Sequence, residues 1–418
     1  LSFNADIPRN PASTIKVITT LAALEELGPA YTWLTEVYVL GSVRGGTLDG
    51  DLAFKGHGDP YMVIEEFWKL VQTVRRQGIT HIQGDLVIDN SYFTVPDEDP
   101  GAFDNRPFHT YNALPDAFLV NFRSVNFHFY PSMNGRLVDI RVEPELPNLT
   151  IDNKLRTSNG TCRGFQRGIN IDIPNTVSAD RVHFDGSFPA ACGYYVLGRS
   201  VLTPPTYAFG VFKSLWEQSG GTISGGVRSE IIPTHSRQIL NWRSRPLGEV
   251  IRLVNKFSNN VMTRNLLLTL GAEKIGAPGT VEKGVQAVQD YLRERGIRGD
   301  SMALMNGAGL SREERASPRL LADVLLHAHE ISYMPEFISS LSIAGIDGTA
   351  RNRFKRRQEA GHAHLKTGTI DHVSAVAGYV DAQSGRKFVV VGIINHQNVH
   401  HGPGEQLWNA LLQWAYRQ

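Results

Sequence analysis

The sequence has little cysteine and no long apolar segment. Only two cysteines, Cys162 and Cys192, occur in its 418 residues. Such a pair is compatible with one disulfide in an exported protein and equally with two buried thiols, so the cysteine content does not decide the compartment. No apolar run approaches the roughly 20 residues that a membrane-spanning helix needs. The sequence therefore predicts no transmembrane helix.

The sequence also lacks an excess of charge of either sign. It has 42 Lys and Arg against 41 Asp and Glu, a formal net charge of +1. Electrostatics therefore give no reason to expect a nucleic-acid partner. Hydrophobic residues make up 41% and aromatic residues 9% of the chain, which is typical of a folded globular protein. At about 150 residues per domain, the length predicts two to three domains.

A metal site is not predicted, although histidines recur near the C-terminus. His396 and His400 would share a face only on a helix, whereas residues 395–401 and the Gly-Pro after them indicate a loop. No His-Glu-x-x-His sequence occurs. We therefore expect neither a zinc site nor another cofactor.

A cluster of basic residues lies between positions 351 and 357. Nucleic acid is one interpretation of such a cluster. A solvated surface beside an anionic wall polymer or a membrane agrees better with the balanced overall charge, so peripheral membrane association stays an alternative. The cluster consists of Arg351, Arg353, Lys355, Arg356 and Arg357.

A Ser-Thr-Ile-Lys motif at residues 13–16 lies at the start of a predicted helix, for which Asn10 is a favourable N-cap. Apolar residues cover most of the helix circumference, which predicts a buried central helix. Ser13 then lies in the first turn, where free N–H groups favour an alkoxide, and Lys16 lies three residues on, on the same face. They are candidates for a nucleophile and its base, if burial or a neighbouring cation lowers the lysine pKa.

A Ser-Asn-Asn motif at residues 258–260 separates two predicted helices, 246–257 and 261–270. A turn there would point a hydroxyl and an amide into a cleft. Alone, such a motif is more often an ordinary turn between helices. Its place relative to the other motifs makes Ser258 and Asn260 candidate site residues.

A Lys-Thr-Gly-Thr motif lies on a predicted edge strand at residues 364–370, which a hairpin follows. Gly368 has no side chain, so a substrate backbone could approach closely and add as a further strand. Lys366 and Thr367 could then hold a carboxylate, and Lys366 could be the cation that lowers the pKa of Lys16. A polar edge strand without function is the alternative.

The order of the three motifs is more informative than any one of them. Each consists of common residue types and is weak alone. Together and in this order, they match the pattern of class A β-lactamases and penicillin-binding proteins, in which a serine nucleophile and a lysine base transfer acyl groups.

At these residues the chain resembles the class C low-molecular-mass penicillin-binding proteins, the DacB-like D-alanyl-D-alanine carboxypeptidases and endopeptidases of peptidase family S13. The resemblance covers essentially the whole chain, since residues 58–60, 84–89, 306–312 and 344–349 also match. Ser258 follows Ser13 by 245 residues, a much longer interval than in class A β-lactamases.

The resemblance implies an α/β (α+β) multidomain protein with two nested insertions. The catalytic domain would have a serine β-lactamase/transpeptidase-like fold, with an antiparallel sheet flanked by helices. Strand patterns at residues 36–40 and 52–55 and a helical pattern at 62–77 agree in outline. The implied domains are a catalytic domain of residues 1–33 and 246–418, a β-rich insert of 34–60 and 145–245, and an inner α/β insert of 61–144.

The resemblance also assigns catalytic roles. Ser13 attacks the carbonyl between the two terminal D-alanines, and Lys16 takes its proton. Ser258, with Lys366, relays a proton to the leaving amine. Asn260 orients the substrate amide.

Further residues would bind the substrate. Lys366 and Thr367 hold the terminal carboxylate in this family. Backbone N–H groups of the nucleophile and of Thr369 form the oxyanion hole. Leu310 and Arg312 match positions that line the pocket for the peptide side chain.

The sequence departs from the family in the inner insert. The family usually places an acidic residue five positions before an aromatic residue, where it receives the amine of a diaminopimelate side chain. Tyr111 could be that aromatic residue, but Arg106 stands five positions before it, and the nearest acids are Asp104 and Asp116. This contact is left unassigned.

The function implied is a serine D-Ala-D-Ala carboxypeptidase, DD-endopeptidase or both, acting on peptidoglycan stem peptides and acylated by β-lactams. We expect a periplasmic or extracytoplasmic location, with an export signal upstream, because the first residues are not a signal peptide. One alternative is a β-lactamase or serine esterase, although a well-placed deacylating glutamate is lacking. The other is a non-catalytic peptidoglycan-binding protein, which the complete motif set disfavours.

Overall fold

The structure is a computed structural model that describes residues 1–132 and 136–418. Its internal contacts divide the chain into two compact units. The first unit comprises Leu1–Trp33, Tyr92–Asp97 and Arg245–Gln418, and the second comprises Leu34–Ser91 and Glu98–Ser244.

The α-helices of the described chain lie in both units. In chain order they are α1 (Lys16–Leu27), α2 (Ile64–Arg75), α3 (Pro204–Gln218), α4 (Leu247–Phe257), α5 (Asn260–Lys274), α6 (Val281–Glu294), α7 (Pro318–Glu330), α8 (Met334–Ser340) and α9 (Pro403–Tyr416). Within the described residues, none of them is both long and apolar enough to cross a membrane.

Most strands lie in the second unit. In chain order they are β1 (Leu34–Arg44), β2 (Thr47–Gly56), β3 (His81–Ile82), β4 (Leu86–Asp89), β5 (Val125–Tyr130), β6 (Asp139–Glu143), β7 (Thr150–Asn153), β8 (Arg156–Ser158), β9 (Ile169–Asp172), β10 (Arg181–Pro189), β11 (Tyr195–Arg199), β12 (Thr222–Ile223), β13 (Val227–Ser229), β14 (Arg237–Arg243), β15 (Ser342–Ile343), β16 (Ala363–Ile370), β17 (Val373–Asp381) and β18 (Lys387–Asn395).

The first unit contains an antiparallel sheet in the order β15-β16-β17-β18. β16 pairs with β17 along its whole length. β15 is short and pairs only with His364 and Leu365 of β16. In the part of the chain that the structure describes, β16 therefore has an unpaired outer edge from Lys366 onward, in agreement with the edge strand predicted at residues 364–370.

Helix α1 is the central helix of the first unit. Its residues from Lys16 to Leu24 are all buried, and it contacts α4, α5, α6 and α7. The apolar pattern of the sequence predicts this burial, since a helix that is apolar on all sides must be covered on all sides. The hydroxyls of Thr19 and Thr20 are satisfied inside it by the Gly307 carbonyl at 2.9 Å and the Lys16 carbonyl at 2.7 Å.

The second unit is built on a sheet in the order β12-β3-β2-β1-β14, with β4 paired to β2 and to β13. Two smaller sheets follow, β7-β10-β8 with β9 on β10, and β11-β5-β6. One apolar cluster joins residues of all three sheets with α2 and α3, among them Phe54, Phe67, Phe127, Phe184 and Trp216. Cys162 and Cys192 form a disulfide in this unit, with their Cα atoms 4.9 Å apart.

The secondary structure expected at the start of the second unit is present. The strands predicted at 36–40 and 52–55 lie within the longer β1 and β2, and the helix predicted at 62–77 contains α2. The division of this part of the chain into two nested inserts, 34–60 with 145–245 and 61–144, stays a prediction.

Candidate active site

Ser13 lies on a 3-10 turn, Ala12–Ile15, that leads directly into α1. The sequence pattern predicted an α-helix from the start, but the regular helix begins only at Lys16. Asn10 fixes the entry: its Oδ1 accepts from the Ala12 N–H at 2.9 Å. Asn395, at the end of β18, holds Asn10 in turn by accepting from its N–H at 2.8 Å. The turn is therefore anchored to the sheet.

Lys16 reaches back to Ser13 from the first residue of α1. Its Nζ donates to Ser13 Oγ at 3.0 Å and to Asn260 Oδ1 at 2.8 Å. It also donates to the Ala308 carbonyl, which lies at the hydrogen-bonding limit of 3.5 Å from Ser13 Oγ as well. The first two motifs thus meet at the amine of Lys16.

The Ser-Asn-Asn motif connects α4 to α5. Ser258 ends α4 in the left-handed conformation, with φ 57°. Asn259 caps α5, because its Oδ1 accepts from the Met262 N–H at 3.1 Å. Asn260 is the first residue of α5, which places its amide beside Lys16. In the motif, Ser258 therefore ends α4, Asn259 caps α5 and Asn260 contacts Lys16.

Lys366 joins the third motif to the second. Its Nζ donates to Ser258 Oγ at 2.9 Å and to the Thr367 carbonyl at 2.8 Å. Two serine–lysine pairs, Ser13 with Lys16 and Ser258 with Lys366, therefore stand in one site within the first unit.

Both lysines are fully buried, with relative exposures of 0%. Burial lowers the pKa of Lys16 from 10.5 to about 7, because an ammonium loses its hydration there, and the negative charge of Glu314 opposes the shift. Burial likewise lowers the pKa of Lys366 well below its ordinary range, and the charge of Lys16 lowers it further. At neutral pH, Lys16 can therefore exist as a neutral amine that accepts a proton.

The edge of β16 borders this site. Thr367 Oγ1 donates to Thr349 Oγ1 at 2.8 Å, so two hydroxyls stand together. A Cβ atom at Gly368 would lie 3.0 Å from Ser13 N and 2.8 Å from the Pro11 carbonyl oxygen. The sequence suggested a glycine that admits a substrate, whereas the close neighbour in the structure is the turn that carries Ser13. Thr369 is exposed on the same edge.

The residues expected to line a side-chain pocket lie in different places. Leu310 is half-buried and its carbonyl accepts from Asn306 Nδ2 at 2.9 Å. Arg312 is exposed and pairs with the Asp371 carboxylate at 3.1 Å. Both belong to the first unit.

Tyr111 belongs to the second unit. Its hydroxyl donates to Asp104 Oδ2 at 2.6 Å, and the same carboxylate accepts from Asn112 Nδ2 at 2.8 Å. These hydrogen bonds hold the pKa of Asp104 below its usual value although burial raises it. Asp104 is therefore the acid that contacts Tyr111, seven positions before it instead of five.

Two residues of the site carried no signal in the sequence. Glu314 is completely buried and interacts electrostatically with Lys16, and Thr349 meets Thr367. Both lie in segments that match the family or adjoin one, but neither spacing nor pattern marks them. Within residues 1–132 and 136–418, no three His, Cys, Asp or Glu side chains are grouped to hold a metal ion.

Known proteins are similar to this chain in sequence and in fold. The chain matches the family described as D-Ala-D-Ala carboxypeptidase 3 (S13) over residues 1–417. It is 28% identical to a D-alanyl-D-alanine carboxypeptidase of an Actinomadura species over 410 residues, which cover 94% of this chain and 74% of that protein. Penicillin binding protein 4 (dacB) of Haemophilus influenzae has the same fold, with a TM-score of 0.83 at 24% identity over 100% of this chain and 93% of that one.

Two more solved structures are similar. The same Haemophilus protein complexed with a β-lactam aligns with a TM-score of 0.79 at 23% identity, over 100% of this chain and 93% of that one. A predatory endopeptidase of Bdellovibrio bacteriovorus aligns with a TM-score of 0.55 at 17% identity, over 99% of this chain and 88% of that one. The fold predicted for the catalytic domain is confirmed. The chain belongs to the D-Ala-D-Ala carboxypeptidase 3 (S13) family and is a serine-type D-Ala-D-Ala carboxypeptidase.

Proposed function

We propose that Ser13 is the nucleophile of this carboxypeptidase and that Lys16 is its general base. The observation that carries the proposal is the 3.0 Å distance between Ser13 Oγ and the buried Nζ of Lys16. As a neutral amine, Lys16 accepts the hydroxyl proton while Oγ attacks the carbonyl carbon between the two terminal D-alanines of a stem peptide. Nζ becomes an ammonium, and the carbonyl oxygen becomes an oxyanion.

The leaving amine needs a proton, which Ser258 supplies in our proposal. Ser258 Oγ lies 2.9 Å from Lys366 Nζ, so a proton given to the amine nitrogen can be replaced from Lys366. The C–N bond then breaks, D-alanine leaves, and an acyl ester remains on Ser13. Water then attacks the ester carbonyl and gives a proton through Ser258 Oγ to Lys366, which regains its charge. As the ester C–O bond breaks, the ammonium of Lys16 returns its proton to Ser13 Oγ and restores the free hydroxyl.

The substrate would lie along the open edge of β16. Lys366, Thr367 and Thr349 offer an amine and two hydroxyls to the terminal carboxylate, and a bound carboxylate favours the charged form of Lys366. Asn260 orients the peptide amide, and the backbone N–H groups of Ser13 and Thr369 stabilise the oxyanion. The N–H groups at the start of the helix carry positive partial charge, which supports this placement.

We further propose acylation by β-lactams, endopeptidase activity and an extracytoplasmic location. The similarity to a penicillin binding protein complexed with a β-lactam supports the first, and the similarity to an endopeptidase supports the second. The Cys162–Cys192 disulfide supports the third, because disulfides persist in oxidising compartments. A β-lactamase on the same scaffold is the second candidate, since it needs the same serine and lysine.

Time-resolved intact-protein mass spectrometry with excess benzylpenicillin tests the proposal, with Ser13→Ala as the matched variant. We expect one persistent adduct on the parent and none on the variant, and release of D-alanine from a stem-peptide substrate by the parent alone. Consumption of penicillin without an adduct would favour the β-lactamase. Release of D-alanine by Ser13→Ala would refute the assignment of the nucleophile.

A further inference from the structure

Glu314 is a buried acid beside the active site that the mechanism above does not use. Its relative exposure is 0%. Its Oε1 accepts from the backbone N–H groups of Met305 and Asn306, both at 3.3 Å. Its Oε2 is buried and accepts no hydrogen bond of ordinary geometry from the described residues, although the nearby Gly307 N–H also stabilises the carboxylate. A buried carboxylate oxygen without a partner is costly, so its presence needs an explanation.

The loop whose backbone N–H groups bind Glu314 also contacts Lys16. Residues 303 and 315 exchange two backbone hydrogen bonds, at 3.0 and 2.9 Å, and close the base of a loop. Inside it, Asn306 Oδ1 accepts from the Ala308 N–H at 3.0 Å. The carbonyl of Ala308 accepts from Lys16 Nζ. The carboxylate of Glu314 thus holds the loop whose Ala308 carbonyl accepts a hydrogen bond from Lys16.

A neutral amide could hold the same two N–H groups. A glutamine side chain has a carbonyl oxygen that accepts as the carboxylate does, without the cost of burying a charge. The contacts of Oε1 therefore do not explain why the residue is an acid. The remaining difference is the charge, and the nearby group that responds to it is Lys16, whose pKa the carboxylate raises.

We propose that Glu314 is a positioning residue for Lys16, which holds the Ala308 carbonyl against the amine and sets the pH range in which that amine acts as a base. This inference rests on the proposed role of Lys16. Glu314 faces Lys16 from the loop of residues 303–315, and Lys366 faces it from β16. The carboxylate of Glu314 favours a proton on the amine of Lys16, whereas Lys366 disfavours one when it is itself charged.

The two groups titrate as a pair. Burial raises the pKa of Glu314 to about 7, and the N–H groups of Asn306 and Met305 and the charge of Lys16 oppose this. Burial lowers that of Lys16 to about 7. Near neutral pH a proton can therefore lie on the carboxylate of Glu314 or on the amine of Lys16. A measured titration midpoint then describes the pair and not either group alone. Loss of the Glu314 charge must lower the pKa of Lys16, because the stabilising anion is gone.

Glu314→Gln tests this inference, with Glu313→Gln as the matched control. Glu313 is the adjacent residue and is exposed, so the two variants lose the same charge in different settings. The second-order rate constant for acylation by benzylpenicillin is measured against pH, and circular dichroism verifies the fold. The acid limb of the profile is the pH range over which the rate constant rises as the base loses its proton. We expect this limb to move to lower pH by about one unit or more in Glu314→Gln. The profile of Glu313→Gln should coincide with that of the parent.

An unchanged acid limb in folded Glu314→Gln overturns the inference, including the case in which the rate falls equally at every pH. A parent that is not acylated at all refutes the proposed function instead, so the two failures are distinct.

A second measurement applies if Glu314→Gln does not fold. NMR of protein with ¹³C-labelled glutamate carboxyls should show one carboxyl that titrates near neutral pH, far above ordinary glutamates. Its midpoint should rise in Lys16→Ala, because linkage between the two groups is reciprocal. A midpoint that does not change, or no such carboxyl, overturns the inference.

Discussion

Gly368 lies against the backbone of Ser13. A Cβ atom added at Gly368 would lie 3.0 Å from Ser13 N and 2.8 Å from the Pro11 carbonyl oxygen, and 3.1 Å from Thr14 N. These distances are shorter than ordinary contacts to a Cβ atom. Because glycine has no Cβ, β16 can pack directly on the turn that carries Ser13.

Gly368→Ala should therefore displace the turn from the strand. We expect the rate of acylation by benzylpenicillin to fall by up to about 100-fold, because a misplacement of about 1 Å in reacting groups can cost that much. The free energy of unfolding should fall by about 1–3 kcal/mol. Intact-protein mass spectrometry at successive times measures the rate of acylation, and urea unfolding measures the free energy of unfolding.

The control for this prediction is Gly226→Ala. A Cβ atom there would meet nothing within 4 Å, so we expect acylation and unfolding close to those of the parent. Equal acylation rates in the two variants would show that the distance at Gly368 does not matter.

Asn260→Asp should move the acid limb of acylation to higher pH. Lys16 Nζ donates to Asn260 Oδ1 at 2.8 Å, and a carboxylate at that distance favours the ammonium form. The pKa of Lys16, about 7 in the parent, should rise by about one to three units. The pH dependence of the acylation rate constant measures this shift.

Asn259→Asp is the matched control for that shift. Asn259 caps α5 through its Oδ1, and aspartate caps a helix as well as asparagine does. It adds the same charge one residue away without the contact to Lys16. Acid limbs that coincide in the two variants would mean that the hydrogen bond to Asn260 has no influence on the base.

The sequence predicted those parts of the site that depend on local structure. The helix after Ser13 and the edge strand around Lys366 follow from periodicity and from end signals. The assignment of the three motifs to one reaction came from the resemblance to a family, because no local rule brings Ser13, Ser258 and Lys366 together.

The sequence did not predict the parts that depend on loop packing. Glu314 is one of two adjacent glutamates, and only the fold makes one buried and the other exposed. Thr349 meets Thr367 across a loop whose path no periodic pattern encodes. The 3-10 turn at Ser13 replaces the predicted first α-helical turn, since Asn10 is tied to Asn395 and not only to the helix.

Lys16→Met should stabilise the protein while it abolishes acylation. Burial of Lys16 lowers its pKa from 10.5 to about 7, and each unit of pKa corresponds to about 1.4 kcal/mol. In the unfolded chain the amine is protonated at pH 7, so folding at that pH must release about half a proton. Methionine has a similar length and no charge. The variant also loses the hydrogen bonds of Lys16 to Ser13 and Asn260, but this loss offsets only part of the stabilisation.

The stabilisation by Lys16→Met should shrink as pH rises. The folded-state pKa lies below the unfolded one, so the cost of burying Lys16 disappears between about pH 7 and pH 10.5. Calorimetric unfolding of parent and variant at neutral and alkaline pH measures the difference. A variant less stable than the parent at neutral pH would show that the lost hydrogen bonds outweigh desolvation.

Removal of the disulfide should lower the stability of the protein without changing its rate of acylation. Cys162 and Cys192 lie in the second unit and are 30 residues apart in sequence, and a cross-link over such a loop stabilises by about 2–4 kcal/mol. Ser13 and its partners belong to the first unit. We expect the double variant Cys162→Ser, Cys192→Ser to unfold at lower temperature and yet to be acylated by benzylpenicillin at the parental rate below its transition. Ser13→Ala in the same background gives the baseline for acylation. A fall in acylation rate well below the transition temperature would show that the second unit influences the geometry of the site.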